Sequence, residues 1–258
     1  MDDPSDAATR APPPTPAGDW ALFLDVDGCL LDFADAPDAV RVPDGLVEAI
    51  SRWARRLDGA VALVSGRSLD TLDALFPELR DLPAAGLHGL ERRDGSGGRQ
   101  VPPSPPHAFA DVVAEAGRVA GGYPGAIVET KGPNLALHWR QAPQAAQALR
   151  AFASAALPRL PGYRLQAGDH VVELRPGGDV DKGSAIVAFM TEPPFRGRVP
   201  VFLGDDLTDE RGFAAVNAHG GISVLVGDRA DSAARHALRD PAAVRAWLAA
   251  ACREGAPA

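Results

Sequence analysis

Short apolar runs alternate with amphipathic segments over the first third of the chain. The run WALFL at residues 20–24 has the length of a strand, and apolar residues at every position are typical of a strand covered on both faces. A helix is predicted next, because apolar side chains recur at spacings of four, three and four residues: Leu46, Ile50, Trp53 and Leu57. Two more apolar runs, at 59–68 and 82–89, flank a helical segment at 69–76. This order predicts a parallel α/β sheet.

The pattern changes at a turn-rich boundary, DGSGGRQVPPSPP (94–106). A helical segment follows it, and then two strands at 125–131 and 134–140 that are separated only by Gly132-Pro133. A second helix and a second hairpin, turning at Gly168-Asp169, come next. Helix, hairpin, helix, hairpin is not the parallel pattern, so this part is predicted to be an α+β module inserted in the first domain.

Alternating strands and helices return from Gly178 and end in a helix at 241–252. The fold class is therefore predicted to be α/β, with a parallel-sheet core interrupted by an α+β insert. The sequence is divided accordingly: a proline-rich flexible tail at 1–18, the core at 19–98 and 178–258, and the insert at 99–177.

Composition and charge narrow the class of partner. The 258 residues are 46% hydrophobic and 23% charged, which is ordinary for a protein with a packed core. A net charge of −8 disfavours nucleic acid and anionic membranes as partners, although a small anionic substrate needs only a few local cations. Cys29 and Cys252 suggest neither a disulfide framework nor a cysteine-based zinc site. With no signal-like or membrane-spanning run in the sequence, we expect a cytoplasmic monomer.

Distinctive polar residues stand where predicted strands end and one helix begins, and ligands of open parallel sheets bind at the carboxyl ends of strands. They are Asp25 and Asp27, then Ser65, Gly66 and Arg67, then Lys182, and last Asp205, Asp206 and Asp209. Carboxylates gathered at one place need a cation, and a hard oxygen set beside a phosphate suits Mg²⁺.

This set fits phosphoryl transfer. Asp25 is a candidate nucleophile that would form an aspartyl-phosphate, and Asp27 a candidate acid and base. Ser65 and nearby backbone N–H groups would hold a phosphate oxygen, and Lys182 would balance the charge that collects there. Each motif alone is common as a turn, a helix cap or a solvated charge, but their combination in this order is much harder to obtain by chance.

The motifs DVDGCL, VSGR, DKG and GDDLTDE resemble those of haloacid-dehalogenase-superfamily phosphatases. Within that superfamily the chain resembles the trehalose-6-phosphate phosphatases, through GLHGLERR, ETKGPNLALHWR and VVELRPGGDVDKGSAI, and the likeness runs from about Trp20 to about Gly227. The resemblance implies a Rossmann-like catalytic core and a cap that determines substrate specificity. It implies hydrolysis of trehalose 6-phosphate with Mg²⁺ as cofactor.

The resemblance also implies roles for individual residues. Asp25 would be the nucleophile and Asp27 the acid and base, with Ser65 and Lys182 contacting the phosphoryl group. Mg²⁺ would be held by the Asp25 carboxylate, the backbone carbonyl of Asp27 and Asp205, with Asp209 in or behind the metal shell. One departure stands in the first motif: Cys29 occupies a position where the superfamily usually has threonine.

Strand alternation in the insert gathers polar side chains on one face of its sheet. That face would carry Glu129, Lys131, His138, Arg140 and Glu173 while the opposite face packs on the helices. It is either a solvated face with ion pairs or a sugar-binding surface, and the resemblance favours the second. Gly66, Arg67 and His88 complete the candidate substrate-binding set.

Two alternatives stay open at this point. One is a phosphatase or mutase for a different sugar phosphate. The other is a phosphosugar sensor or a receiver-like module that keeps its phosphoaspartate as a signal, which the pair Asp25 and Asp27 argues against because Asp27 favours turnover.

Overall fold

A computed structural model describes residues 10–15, 17–32 and 40–253. The chain divides into two compact units, Met1–Gln100 with Asp181–Ala258 and, between them in sequence, Val101–Val180. This division begins the inserted unit two residues later than the sequence pattern suggested, at 101 against 99, and ends it three residues later, at 180 against 177.

The first unit is built on an eight-stranded sheet in the order β12-β11-β10-β1-β2-β3-β4-β5. The strands are β1 (Trp20–Leu24), β2 (Val61–Val64), β3 (Ala84–Gly86), β4 (Glu91–Arg93), β5 (Arg99–Gln100), β10 (Val199–Gly204), β11 (Ile222–Val226) and β12 (His236–Leu238). The six from β12 to β3 are parallel, while β4 and β5 add an antiparallel edge. The helices are α1 (Leu46–Arg56), α2 (Leu69–Leu75), α5 (Lys182–Met190), α6 (Glu210–Ala218) and α7 (Pro241–Arg253).

Both faces of β1 are covered, as its unbroken apolar run predicted. Every residue of the strand is buried. On one face Trp20 stacks on Trp247 of α7, which in turn stacks on Trp53 of α1. On the other face Phe23 packs against Phe189 of α5. The buried face of α1 is the one that the helical spacing predicted.

The second unit is a four-stranded antiparallel sheet in the order β6-β7-β9-β8 with two helices. Its elements are α3 (Phe109–Ala120), β6 (Ile127–Lys131), β7 (Asn134–His138), α4 (Ala146–Ala156), β8 (Tyr163–Gly168) and β9 (Val171–Pro176). One face of this sheet carries Leu135, Leu137, Val172 and Leu174, which form an apolar core with α3 and α4. The α/β class with an inserted α+β unit is confirmed.

Two features differ from the sequence expectations. The short strand β5 lies in the segment expected to be a turn-rich boundary, and β4 and β12 lie where the pattern predicted no strand. In the proline-rich segment, expected to be a flexible tail, residues 10–12 bind the edge of the sheet: Ala237 N donates to Ala11 O at 3.1 Å, and Arg10 donates to four backbone carbonyls. That expectation is wrong for these residues, because edge-strand groups of β12 offer partners that composition does not reveal. Residues 1–9 lie outside the described part.

None of the helices in the described part of the chain combines the length and the apolar character that crossing a bilayer requires.

Candidate active site

The loop after β1 begins the site. Asp25 is buried, with 4% of its surface exposed, and its backbone N–H donates to Leu203 O in the neighbouring strand β10. The chain then turns tightly, because Leu30 and Leu31 both donate backbone N–H groups to Val26 O. Gly28 allows this turn with a φ of 78°, a value that other residues adopt only with strain. The turn keeps Asp25 at the end of the strand.

Lys182 connects the first and last acidic motifs. It is the first residue of α5, whose N-terminus is fixed by a capping box between Asp181 and Ser184. Its buried ammonium donates to Asp25 Oδ1 and to Asp209 Oδ1, each at 2.7 Å. The helix start therefore aims one cation between two carboxylates from separate strands.

Asp209 shapes the acidic loop from inside. Its second oxygen, Oδ2, accepts the backbone N–H groups of Asp205 and Asp206, both at 3.0 Å. Gly204 makes room for this side chain, since a Cβ at residue 204 would lie 2.4 Å from Asp209 Cγ. Asp209 is fully buried and so ties the loop to Lys182.

Three carboxylates meet around this lysine. One oxygen from each of Asp25, Asp205 and Asp209 lies within 4.8 Å of the others. Burial, together with the charge of Asp209, raises the pKa of Asp25 to about 7. Burial and the charges of Asp25 and Asp209 raise the pKa of Asp205 to about 10. The pKa of Lys182 is raised by these carboxylates despite burial, which acts in the other direction.

These shifts test whether the site suits a metal ion. Three carboxylates and one lysine leave a formal charge of −2 when all are ionised, and the raised pKa values reflect burial first and this excess second. A set made only of carboxylate oxygens is what Mg²⁺ binds in phosphate sites. The residues present therefore fit a divalent cation. The Asp27 carboxylate lies outside this three-residue cluster.

Asp27 is instead paired with Arg67. Arg67 Nε donates to Asp27 Oδ2 and Nη2 donates to Asp27 Oδ1, both at 2.7 Å. This two-pronged geometry holds a carboxylate more firmly than a lysine would. Arg67 follows β2, the neighbour of β1, so the parallel sheet brings together two residues that are far apart in sequence. Asp25 and Asp27 are thus bound to different cations.

Ser65 and Gly66, which follow β2, lie in contact with His88, which follows β3. Ser65 is buried, its Oγ accepts the Arg67 N–H at 3.1 Å, and its carbonyl accepts the His88 N–H at 2.9 Å. His88 has a left-handed φ of 55°, which is uncommon for histidine. The conformation packs its ring over Gly66, where an added Cβ would lie 2.8 Å from Cε1 and Nε2. The structure therefore brings these three predicted residues together.

The predicted polar face of the second sheet is present. Register places Glu129 and Glu173 on either side of Ala136, on the face opposite the apolar core. Glu129 Oε2 lies 3.0 Å from His138 Nε2 and 3.1 Å from Lys131 Nζ. Burial opposes ionisation of Glu129, but these two neighbours lower its pKa to about 2. Burial raises the pKa of Glu173.

The expected place of Arg140 on this face stays a prediction. Strand β7 ends at His138, two residues before Arg140. Arg140 is half exposed and its Nη2 donates to Asp169 in the turn between β8 and β9 at 2.8 Å.

Sequence comparison adds a family to this geometry. The profile of the trehalose-phosphatase family matches residues 23–242. The chain belongs to this family. A protein of Escherichia coli K12 named trehalose-6-phosphate phosphatase is 48% identical over 214 residues, which cover 83% of this chain and 80% of the relative.

Solved structures related to this trehalose-phosphatase family member share its fold. The C-terminal domain of C. albicans trehalose-6-phosphate phosphatase superposes with a TM-score of 0.77 at 20% identity, covering 91% of this chain and 92% of that one. A phosphatase of the haloalkanoate (HAD) enzyme superfamily from Bacteroides thetaiotaomicron gives a TM-score of 0.58 at 16% identity, covering 96% of each chain. The expected haloacid-dehalogenase fold is confirmed.

Several polar contacts around the sites of this family member were not predicted from sequence. Arg229 reaches the acidic loop and donates to Asp206 O at 3.2 Å. Glu91 Oε2 accepts the N–H of Leu69 at the start of α2, beside the turn that holds Ser65. The GLHGLE segment contained Glu91, but only the pairing of β3 with β4 shows where it points. No spacing rule pointed to Arg229.

Proposed function

We propose that this protein hydrolyses trehalose 6-phosphate to trehalose and inorganic phosphate, with Asp25 as nucleophile and Mg²⁺ as cofactor. The observation that carries the proposal is the buried Asp25, bound to Lys182 and grouped with Asp205 and Asp209, in a chain 48% identical to a trehalose-6-phosphate phosphatase. A phosphatase for another sugar phosphate would use the same chemistry in the core, so only a comparison of substrates distinguishes the two functions.

The first half of the reaction would transfer the phosphoryl group to the protein. An Asp25 oxygen forms a bond to phosphorus as the bond from phosphorus to the sugar oxygen breaks, and Asp27 gives a proton to the departing oxygen. Lys182 stabilises the negative charge beside Asp25, and Ser65 contacts a phosphoryl oxygen. Arg67 donates to both Asp27 oxygens, as to an ionised carboxylate, so Asp27 has to leave this pair and take up a proton before it acts as the acid.

The second half would return the protein to its starting state. Asp27, now ionised, takes a proton from water, and the water oxygen forms a bond to phosphorus as the Asp25–phosphorus bond breaks. Asp25, Asp205 and the backbone carbonyl of Asp27 would hold Mg²⁺, with Asp209 in support, and the bound ion would supply positive charge beside the phosphoryl group. Inorganic phosphate is then released, and Asp25 is again a free carboxylate and Asp27 again protonated.

Substrate choice would come from the second unit. Sugar hydroxyls require donors and acceptors at fixed places, and the polar face offers both in Glu129, Lys131, His138 and Glu173. Gly66, Arg67 and His88 would line the phosphate side. We still predict that the protein is cytoplasmic and monomeric. Sedimentation would measure the oligomeric state by comparing the mass in solution with the chain mass of 26.9 kDa.

The test is phosphate release from trehalose 6-phosphate, glucose 6-phosphate and other sugar phosphates, each with Mg²⁺ and with chelator. We expect Mg²⁺-dependent release that favours trehalose 6-phosphate. Equal release from glucose 6-phosphate would reject the substrate, and no release from any would reject the enzyme.

A pair of variants tests the nucleophile. Asp25→Asn should abolish release while the circular dichroism of the fold is retained, and near-normal activity would reject the assignment. Asp27→Asn should slow release while labelled phosphate accumulates on the protein. If the unmodified protein also keeps the labelled phosphate for a long time, the result would favour the alternative of a receiver-like signalling module.

A further inference from the structure

We propose that Arg229 is a positioning residue for the acidic loop at 204–209, and that Arg10 fixes the segment that carries Arg229. The inference rests on the proposed function only for the identity of the ion that Asp205 would bind. Its structural part concerns how the loop is held.

Hydrogen bonds hold the backbone of the acidic loop on two sides. On the inner side its N–H groups at Asp205 and Asp206 donate to Asp209 Oδ2. On the outer side its carbonyls at the same two residues face Arg229, whose Nη2 lies 3.4 Å from Asp205 O and 3.2 Å from Asp206 O. The peptide unit between Asp205 and Asp206 is therefore restrained through both its N–H and its C=O, and the unit before it is restrained through the Asp205 N–H.

Arg229 is itself held in place. It follows β11, the parallel neighbour of β10, so its loop and the acidic loop leave the same edge of the sheet. Its Nη1 pairs with Glu210 Oε1 at 2.7 Å and donates to Asp231 O at 2.7 Å. The other oxygen of Glu210 accepts the N–H of Ala233 at 2.7 Å. Glu210 thus ties the segment 229–233 to the start of α6.

Arg10 closes this segment from the far end of the chain. Its guanidinium donates to four carbonyls of one short loop, at Arg229 (2.9 Å), Ala230 (2.8 Å), Ser232 (3.1 Å) and Ala234 (2.8 Å). A planar group with five donors suits this task, and lysine could not make the same set. The carbonyl of Arg229 is one of the four, so Arg10 contacts the backbone of the residue that grips the acidic loop.

The need for such restraint follows from the charges. Asp205 is held near Asp25 and Asp209, and like charges in a buried place repel. A loop free to move would turn the Asp205 carboxylate away from the others. Restraining its backbone keeps the carboxylate cluster assembled, and groups that orient metal ligands typically change metal affinity by about 10- to 100-fold when removed.

If Arg229 acted only as a positive charge, its removal would change the metal affinity in the opposite direction. Removing a cation near a carboxylate cluster makes the cluster more negative and strengthens metal binding. Removing a positioning group weakens it. Arg229→Gln therefore separates the two roles by direction, and Arg229→Lys, which keeps the charge and loses the planar fork, should weaken binding only if geometry matters.

The experiment measures Mn²⁺ binding by electron paramagnetic resonance, without substrate, and backbone hydrogen exchange by NMR in the metal-free protein. The proteins are the unmodified chain, Arg229→Gln, Arg229→Lys and Arg10→Gln. Arg239→Gln is the matched control, because Arg239 is 85% exposed and pairs only locally with Asp240 in the contacts described for it. We expect Mn²⁺ affinity to fall by about tenfold or more in Arg229→Gln, by less in Arg10→Gln, and not in the control.

Backbone hydrogen exchange tests the positioning role independently of metal binding. The N–H groups of Asp205 and Asp206 should exchange faster in Arg229→Gln, while the Leu22 N–H in β1 keeps its rate. Unchanged exchange at both residues, or tighter Mn²⁺ binding in Arg229→Gln, would overturn the positioning role. If the unmodified protein binds no Mn²⁺, exchange alone decides. If the protein binds Mn²⁺ but releases no phosphate from any sugar phosphate, the proposed function is rejected. The positioning role of Arg229 is then still decided by the binding and exchange data.

Discussion

Asp25→Asn should make the metal-free protein more stable at high pH, although it removes the proposed nucleophile. Burial and the charge of Asp209 raise the pKa of Asp25 from 3.8 to about 7. An asparagine at this position carries no charge, and its oxygen can still accept the hydrogen bond that Lys182 now donates to Asp25 Oδ1. The variant therefore removes an unfavourable buried charge and retains a shape and an acceptor.

The size of the effect follows from proton linkage. Between pH 3.8 and about 7 the folded protein keeps a proton on Asp25 that the unfolded chain has lost, so stability falls as pH rises through this window and levels off above it. At about 1.4 kcal/mol for each tenfold difference in proton affinity, the ionisation costs about 4 kcal/mol in total. Roughly 3 kcal/mol of this cost is added between pH 5 and pH 8.

The assay is urea unfolding at pH 5 and pH 8 with chelator, followed by tryptophan fluorescence. A Trp139→Phe background removes the tryptophan of the second unit, so that Trp20, Trp53 and Trp247 report on the first. Relative to its parent, Asp25→Asn should gain about 3 kcal/mol more at pH 8 than at pH 5. Asp70→Asn is the control, since that side chain is 90% exposed.

Metal should reverse the order of stability. Saturating Mg²⁺ stabilises the folded state of the parent through its carboxylates, and the Asn variant has lost one of them. A gain that is equal at both pH values, or an Asn variant that is less stable at pH 8 with chelator, would refute the electrostatic reasoning.

Three further predictions concern other positions. Gly66→Ala should lower phosphatase activity more than tenfold, because the new Cβ would lie 2.8 Å from the His88 ring, whereas Gly117→Ala in α3, with open space around it, should keep activity and add about 0.5–1 kcal/mol of stability; equal activities would contradict this. Glu129 has a lowered pKa of about 2, so its ionised form stabilises the fold above pH 4.5 and that contribution, about 3 kcal/mol at most, is lost as pH falls towards 2. Unfolding of Glu129→Gln, monitored by Trp139, should show a smaller loss between pH 5 and pH 3 than the parent. Burial raises the pKa of the Cys29 thiol, so a disulfide reagent at pH 8 should modify it only after unfolding in a Cys252→Ser background, and rapid modification of the folded protein would show that the loop opens.

The elements that could be predicted from sequence are those in which pattern and burial coincide. The run WALFL and the spacing of Leu46, Ile50 and Trp53 specify surfaces that have to be covered, and the structure covers them. Strands β4 and β5 consist of ERR and RQ, so no apolar alternation marks them. They form because β3 offers β4 a free edge, which is a property of the folded sheet.

The site shows the same division. The rule for strand ends predicts that Asp25, Ser65 and Asp205 lie at one edge of the sheet, whereas Lys182 begins a helix and is not covered by that rule. The partner of each group does not follow from that rule. The role of Arg229 could not be predicted, because its contacts to the acidic loop are to backbone carbonyls, which have no residue signature.

The division of cations between carboxylates leads to a constraint on the chemistry. Lys182 is bound to Asp25 and Asp209, while both prongs of Arg67 are bound to Asp27. Burial, followed by the charges of Asp25 and Asp209, raises the pKa of Asp205 to about 10, and the opposing effect of Lys182 offsets only part of this. An incoming phosphoryl group would add more negative charge at the same place. The cluster would therefore accept a phosphoryl group only together with further positive charge, which a divalent cation held by oxygen ligands would supply.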